Sequence, residues 1–436
     1  MHQEPADVVV IGAGAAGMAA AATLARGGAQ VVVLEARDRL GGRIWTHQPK
    51  GWSMPIELGA EFLHGENQAL AAWLRRGRLQ QIPVSEQHWL ASGSQHTPIP
   101  DVWDRINAVM ARIGPRYRGA FGAWLERHDD RIDDADQVLA RTFVEGFHGA
   151  PLDEMSAHTL YRAARGPAEE QARIRGGYGR LVDVLERAMK DQRVDVRLNT
   201  VVTEVRWKRG AVTVVAKEAA WQARAVVVTL PVGVLQAAPG TRGAIRFVPA
   251  LPQKEREWRR LGCGHAIRVV LRLRADVWRR GGLPAELRAR QGRAFGFLHS
   301  DEPEFPVWWS EAPQPVLVGW TGGPAAARWS GASPQRQQRA ARRVLARLLA
   351  CPVTRLERVI LDWRTHDWTA DPFSRCAYSF SAAGAEHVPA LLARPVQRTV
   401  FFAGEATADP LELGTVHGAL MSGERAAREV RKEIES

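Results

Sequence analysis

Hydrophobic runs and polar breaks divide this chain unevenly. Asp7–Ile11 is a short β-branched run without alternation, the pattern of a strand buried on both faces. Ala15–Arg26 is alanine-rich and reads as a helix, and Gln30–Leu34 as a second strand. The three form a βαβ unit, whose crossover should be right-handed. Further strands are predicted at Val194–Leu198, Val212–Val215 and Ala225–Thr229, the last stopping before Pro231, which cannot continue a central strand. Val269–Leu273 mixes apolar residues with an arginine, as a half-exposed strand would. Pro334–Leu349 is a long amphipathic helix. Thr399–Phe402 is a late buried strand, followed by a glycine turn and a helix over His417–Lys432. The Trp- and Pro-rich stretches 80–170 and 275–330 predict helical fragments and irregular turns.

The first βαβ unit carries chemistry. In V-I-G-A-G-A-A-G, Gly12, Gly14 and Gly17 lie between strand and helix. The first permits a tight turn, the second lets backbone approach a pyrophosphate, and the third allows close helix–strand packing. A helix N-terminus offers amides and partial positive charge to phosphates. Glu35 ends the second strand, where a carboxylate would hold ribose hydroxyls. The chain then runs E-A-R-D-R-L-G-G-R, a second glycine turn at Gly41–Gly42 beside Arg43. A nicotinamide dinucleotide has no need of that turn, which points to FAD.

These motifs resemble those of the flavin-containing amine oxidase superfamily. Further matches follow in order: I-E-L-G-A-E-F-L-H-G (56–65), G-G-Y-G-R-L-V-D-V-L (176–185), V-V-V-T-L-P-V-G-V-L (226–235), D-P-F-S-R-C-A-Y-S (371–379), F-F-A-G-E-A-T (401–407) and G-T-V-H-G-A-L (414–420). L-H-G and T-V-H-G-A-L are more similar to the polyamine oxidase and histone-demethylase branch than to monoamine oxidases. The resemblance implies an α/β fold. A discontinuous Rossmann-like FAD-binding domain would take residues 1–78, 175–250 and 390–436. An inserted α+β substrate domain with an antiparallel sheet would take 79–174 and 251–389. It places the FAD contacts at Gly12, Gly14, Ala15, Gly17, Glu35, Ala36, Arg37, Gly42, Arg43, the Gly59–Ala60–Glu61 turn, Val202, Trp368, Gly404, Glu405, Thr415 and Val416. Glu405 would accept from a cofactor hydroxyl or an ammonium-like neighbour. The 415–417 backbone would open a helix toward the electron-rich end of a reduced flavin.

The implied reaction is oxidation of an amine C–N bond by hydride transfer to FAD. The imine formed then hydrolyses, and dioxygen is reduced to hydrogen peroxide. Tyr378 is expected as an aromatic wall, with Trp363 and Trp368 as neighbours and the small Thr415 facing it. His64, in the L-H-G turn, would orient an amino group, and Glu61 would join it as a local acceptor. One position departs from the family: G-H-A-I-R-V-V-L places Arg268 where a lysine near the flavin is usual. Lysine can pass a proton when buried, whereas arginine stays charged. Monoamine oxidases attach FAD through a cysteine that aligns with Ala377 rather than Cys376, so non-covalent FAD is predicted. An L-amino-acid oxidase, with an arginine clamping the carboxylate, and a flavin-binding protein with decayed catalysis remain alternatives.

Composition narrows the partners. The 436 residues suggest two to three domains, and 45% apolar with 24% charged residues fits a soluble enzyme. The net charge of +12 comes from 53 arginines against only six lysines, spread among glutamates and alanines without a basic stripe. Nucleic acid is therefore not an expected partner. Cys263, Cys351 and Cys376 include no CxxC pair, which argues against a disulfide framework or a metal site. Val8–Ala25 carries no charge but contains three glycines, and no basic segment precedes it. A soluble, cytoplasmic protein that takes a small amine and dioxygen, without a membrane, is expected; monomer and homodimer both stay open.

Overall fold

The computed structural model describes residues 6–434, apart from 66, 94, 167–170, 218, 275–295 and 312–313. Two compact units emerge, residues 1–82, 169–263 and 371–436 in one and 83–168 and 264–370 in the other. The segment 371–389 thus packs with the first unit. Among the described residues no helix is long and apolar enough to cross a membrane.

The first unit is built on an eight-stranded sheet. Its order is Asp195–Arg197, Val31–Leu34, Ala6–Ile11, Ala220–Val228, Ala211–Ala216, Val202–Lys208 and Arg246–Val248, with Val400–Phe402 also paired to Ala220–Val228. The strands from Asp195–Arg197 through Ala220–Val228, and Val400–Phe402, run parallel. Ala211–Ala216 is antiparallel to both neighbours. Val8 and Val10 enter the core on one side of the sheet and Val9 and Ile11 the core on the other. This two-sided burial explains why the sequence run does not alternate. Helix Ala15–Arg26 lies against helix Val416–Ile434 at very short range. A Cβ on Gly423 would sit 2.1 Å from the Ala16 carbonyl oxygen, so small residues set that approach.

The second unit is built on a seven-stranded sheet in the order Ile360–Asp367, Ala266–Leu273, Val316–Gly322, Val307–Ser310, Phe297–Ser300, His88–Ser92 and Gln95–Ile99. Its pairs are antiparallel except Phe297–Ser300 with His88–Ser92. Helix Pro334–Leu348 covers one face through Ala340, Ala341, Val344, Leu345 and Leu348.

Two expectations change here. Ala266–Leu273 is a central strand, buried at every position but Arg272, rather than a half-exposed one. Neighbours on both sides and tryptophans around Arg268 remove it from water. The stretches read as irregular also hold five strands of this sheet. Val307-Trp308-Trp309-Ser310 is buried throughout, so it shows no alternation, and Gln95–Ile99 is a largely exposed edge. Residues 275–295 of those stretches lie outside the described residues.

Candidate flavin and amine site

The first glycine turn is tightly determined. Gly12 has φ +98°, where a side chain would be strained, and a Cβ there would meet the Thr229 hydroxyl at 2.8 Å. A Cβ on Gly17 would fall 1.9 Å from the Gly12 carbonyl oxygen. Gly14 is different. Its Cβ would find no protein atom nearer than the Gly42 Cα at 4.0 Å, so packing does not demand a glycine. Ala15 then opens the helix. An open position at a helix N-terminus, flanked by two glycines that packing does demand, fits a pyrophosphate group.

Glu35 is buried, and its two carboxylate oxygens accept from the amides of Ala13 at 2.7 Å and Arg37 at 2.9 Å. It therefore ties the glycine turn to the end of the second strand, beside half-buried Ala36. Arg37 donates to Asp371 at 2.8 Å and Ser374 at 2.9 Å, which draws the 371–374 loop toward that strand.

The second glycine turn docks on the first. The Gly41 amide donates to the Ala13 carbonyl at 2.9 Å, and Gly14 and Gly41 form a parallel bridge. Arg39 holds the turn from below. Its guanidinium donates to the carbonyls of Leu40, Gly42 and Ile44 at 2.9–3.1 Å and lies over Trp45. Burial, with Arg37 nearby, pushes its pKa down to about 10. Arg39 is not among the residues expected at the site, although the repeated arginines of E-A-R-D-R-L-G-G-R are a signal for it.

Arg43 reaches the far end of the chain. It donates to the Ala377 carbonyl at 3.0 Å and pairs with Glu405 at 3.0 Å. Burial pulls its pKa down, but the Glu405 carboxylate, with smaller contributions from Cys376 and Cys263, raises it, and the net shift is upward. Glu405 is spoken for within the protein. Its other oxygen accepts from the Ser379 hydroxyl and from the Gly414 amide at 3.0 Å. The expected acceptor for a cofactor hydroxyl is thus a hub joining Arg43, Ser379 and Gly414. Gly404, at φ +120°, places it there, its amide donating to the Ser422 hydroxyl at 2.9 Å.

Thr415 is a helix cap. Its hydroxyl donates to the Glu412 carbonyl at 2.7 Å and accepts from the Gly418 amide at 2.9 Å. A cap of this kind satisfies one of the first amides and leaves those of Val416 and His417 pointing out of the helix end. Tyr378 is its neighbour through Gly414, where a Cβ would lie 3.3 Å from the tyrosine Cβ and ring. His417 pairs with Glu412, and that hydrogen bond holds the Glu412 carboxyl below its usual pKa against the opposing effect of burial.

Other predicted residues are placed differently. His64 ends a short strand, Leu63–His64, paired with Ala172 and Gln171, and the turn follows at Gly65. Glu61, after the half-buried Gly59 and Ala60, accepts from Arg173 at 2.7 Å. That ion pair neutralises the carboxylate expected to receive an amine. Val202 is buried at the start of Val202–Lys208.

In the second unit, Arg268 is buried, with its guanidinium 5.3 Å from the ring centre of Trp309 and 5.5 Å from that of Trp320. A planar guanidinium stacks on such rings better than an ammonium would. Trp368 packs edge-on to His366 at 4.3 Å. Trp363 packs against the core under helix Pro334–Leu348, because it pairs with Leu271 on that face.

The family model of flavin containing amine oxidoreductase matches residues 15–431. The chain is 27% identical to lysine-specific histone demethylase 1 homolog 3 of Arabidopsis thaliana over 96% of its own length, and spans 29% of that protein. It is 26% identical to polyamine oxidase 4 of Oryza sativa subsp. japonica, covering 99% of this chain and 89% of that one. Among solved structures, putrescine oxidase bound to putrescine superposes with a TM-score of 0.79 at 22% identity, covering 98% and 99% of the two chains. Cyclohexylamine oxidase from Brevibacterium oxydans IH-35A gives 0.78 at 22% identity, over 99% and 100%. At that identity the likeness speaks for the fold, an α/β FAD-binding fold with a substrate domain. The chain belongs to the flavin-containing amine oxidoreductases, enzymes that use FAD to oxidise CH–NH groups.

Proposed function

We propose that this protein oxidises the C–N bond of a polyamine or a secondary amine. The product imine would hydrolyse to an aldehyde and an amine, with dioxygen reduced to hydrogen peroxide. FAD, held without a covalent bond, supplies the hydride acceptor. The first unit takes the cofactor and the second the substrate. The observation that carries this reading is the open Gly14 position between the packed Gly12 and Gly17, with the second glycine turn docked on it.

Each remaining role follows from residue chemistry. Gly12, Gly14, Ala15 and Gly17 receive the pyrophosphate, while Glu35, Ala36 and Arg37 border the ribose. Arg43 and Glu405 brace Gly42 against the 377–379 segment. The amides of Val416 and His417, presented by Thr415, stabilise negative charge at their helix end. Tyr378 forms an aromatic wall that desolvates the amine and favours its neutral form. His64 orients the amine, and Arg268 supplies a fixed positive charge. The family match and the three free cysteines support a small-molecule amine oxidase of a reducing cytoplasm.

Anaerobic mixing with polyamines, secondary amines, monoamines and amino acids tests the reading. Loss of flavin absorbance with an amine, and peroxide release in air, are expected. Acid precipitation tests the cofactor bond: yellow colour left in the pellet would contradict non-covalent FAD.

A further inference from the structure

Two of the three cysteines meet inside the first unit. Cys263 and Cys376 belong to distant parts of the chain, yet their thiols share a hydrogen bond. Both pack into the core that takes Val9 and Ile11. Cys376 is fully buried, and Cys263 is part-buried. The third, Cys351, stands in the other unit.

Glycines let the segments around the pair come this close. A Cβ on Gly262 would lie 2.1 Å from the Phe380 ring, and one on Gly233 would lie 2.9 Å from the Arg375 carbonyl carbon. The Gly233 amide can therefore donate to the Cys376 sulfur. Gln236 fixes the other thiol. Its side-chain amide donates to the carbonyls of Trp258 at 2.6 Å and Leu261 at 3.0 Å, which turns its oxygen to Cys263 Sγ at 3.4 Å. The single Cys263 thiol hydrogen thus has two acceptors, Gln236 Oε1 and Cys376 Sγ.

The two sulfurs differ in chemistry. The hydrogen bond from Cys263, helped by the Arg43 guanidinium, holds the Cys376 thiol below its ordinary pKa against burial and the Glu405 carboxylate. The same hydrogen bond, and then burial, raises Cys263. Thiolate is the reactive form, and cationic neighbours favour it. Cys376 is therefore the nucleophile and Cys263 the thiol beside it. At Cys351 burial raises the thiol pKa against the opposing effect of Arg355.

We propose that Cys263 and Cys376 form a redox modification site, in which hydrogen peroxide joins them as a reversible disulfide. The Cys376 thiolate attacks one peroxide oxygen and the O–O bond breaks. With one proton taken up, water leaves and Cys376 carries a sulfenic acid. The Cys263 sulfur then attacks the Cys376 sulfur, the S–O bond breaks, and the hydroxyl departs as water with the Cys263 proton. Two thiols are oxidised, one peroxide is reduced and two waters form. In a reducing compartment such a bond is transient, and thiol reductants reopen it. Added peroxide suffices to form it; supply of that peroxide by turnover rests on the amine-oxidase reading.

Closing the bond brings the sulfurs from hydrogen-bond contact to about 2.05 Å, which draws on the chain at Cys376. The next three residues carry the Ala377 carbonyl that accepts from Arg43, the Tyr378 ring and the Ser379 hydroxyl that donates to Glu405. A displacement on the order of 1 Å in such a segment can cost up to about a hundredfold in rate. The disulfide is thus a brake on amine oxidation.

The FAD-loaded protein tests this directly. It is treated with hydrogen peroxide, remaining thiols are alkylated under denaturing conditions, and peptides are mapped by mass spectrometry with and without dithiothreitol. Two of the three thiols should be lost, as joined Cys263 and Cys376 peptides that dithiothreitol releases, with Cys351 still alkylated. Cys263→Ser should stop at a sulfenic acid on Cys376, captured by dimedone. Both thiols still free after peroxide, a bridge to Cys351, or Cys376 oxidised without a bridge overturns the inference. Should Cys263→Ser not fold, the map of the unaltered protein decides alone. Anaerobic flavin bleaching by an amine should be at least about tenfold slower in the bridged protein and recover with dithiothreitol. An equal rate overturns the brake. If no amine bleaches the flavin while added peroxide closes the bond, the amine-oxidase reading has failed and the modification site stands. Amines that bleach it beside thiols that peroxide leaves free defeat the site alone.

Discussion

Two glycines three residues apart, Gly14 and Gly17, should respond to the same substitution in opposite ways. Gly14 has φ −74° and ψ −180°, extended backbone that alanine adopts readily, and its new Cβ would meet nothing in the protein inside 4.0 Å. Gly14→Ala should therefore leave the apoprotein unchanged or stabilise it by about 0.4–1 kcal/mol, through the lost freedom of the unfolded chain. The methyl group would point into the space assigned to the pyrophosphate. A misfit costing about 2.7 kcal/mol corresponds to roughly a hundredfold rise in Kd for FAD. At Gly17 the Cβ would lie 1.9 Å from the Gly12 oxygen, on the order of 1.5 Å inside ordinary contact. Both partners are backbone, so the helix must shift, and about 1–3 kcal/mol of stability should be lost even without cofactor. Chemical unfolding of the two apoproteins, with FAD titration followed by flavin fluorescence, separates the effects. Wild-type affinity in Gly14→Ala, or wild-type apoprotein stability in Gly17→Ala, would refute the assignment of these positions.

Other outcomes follow from the same geometry. Glu405→Gln leaves the Arg43 guanidinium without its counter-charge, and because Arg43 is partly exposed a loss of about 2–3 kcal/mol is expected rather than the full cost of breaking a buried pair; a double-mutant cycle with Arg43→Met should show coupling of about 0.5–3 kcal/mol, and strict additivity would dismiss the hub. Arg268→Lys exchanges a stacked guanidinium for a proton-passing ammonium, so it should lose about 0.5–2 kcal/mol of cation–π stabilisation and speed flavin reoxidation by dioxygen; an unchanged reoxidation rate would remove Arg268 from that step. His88 and His299 have folded pKa values below the unfolded value of about 6.5, so the unfolded chain binds more protons. Their contribution is complete above pH 6.5 and declines as the pH falls through about 4 and about 3. Unfolding measured from pH 7 to 4 should show that decline, and His299→Phe should make it shallower.

The legible parts of the fold were those where one pattern decides the outcome. The strand–glycine–helix opening could be placed to within a residue because parallel strands are buried on both faces and the turn needs glycine at φ +98°. The second sheet was poorly legible for a related reason. Tryptophans occupy both of its faces at Trp308 and Trp309, and its order brings His88 beside Phe297 across more than two hundred residues. No local window contains that pairing. Site residues divided in the same way. Gly12, Gly14 and Gly17 follow from backbone geometry that a short motif encodes. The partners of Glu405 and Glu61, which are Arg43 and Arg173, depend on long-range packing that spacing alone does not encode.

The central claim is that the first unit holds FAD and that an amine reduces it. The most direct test is anaerobic titration of the FAD-loaded protein with a secondary amine, watching the flavin absorbance. Stoichiometric bleaching, reversed on admitting air with release of peroxide, is the predicted result. A flavin that dithionite reduces, but that no polyamine, secondary amine, monoamine or amino acid bleaches, would contradict the account.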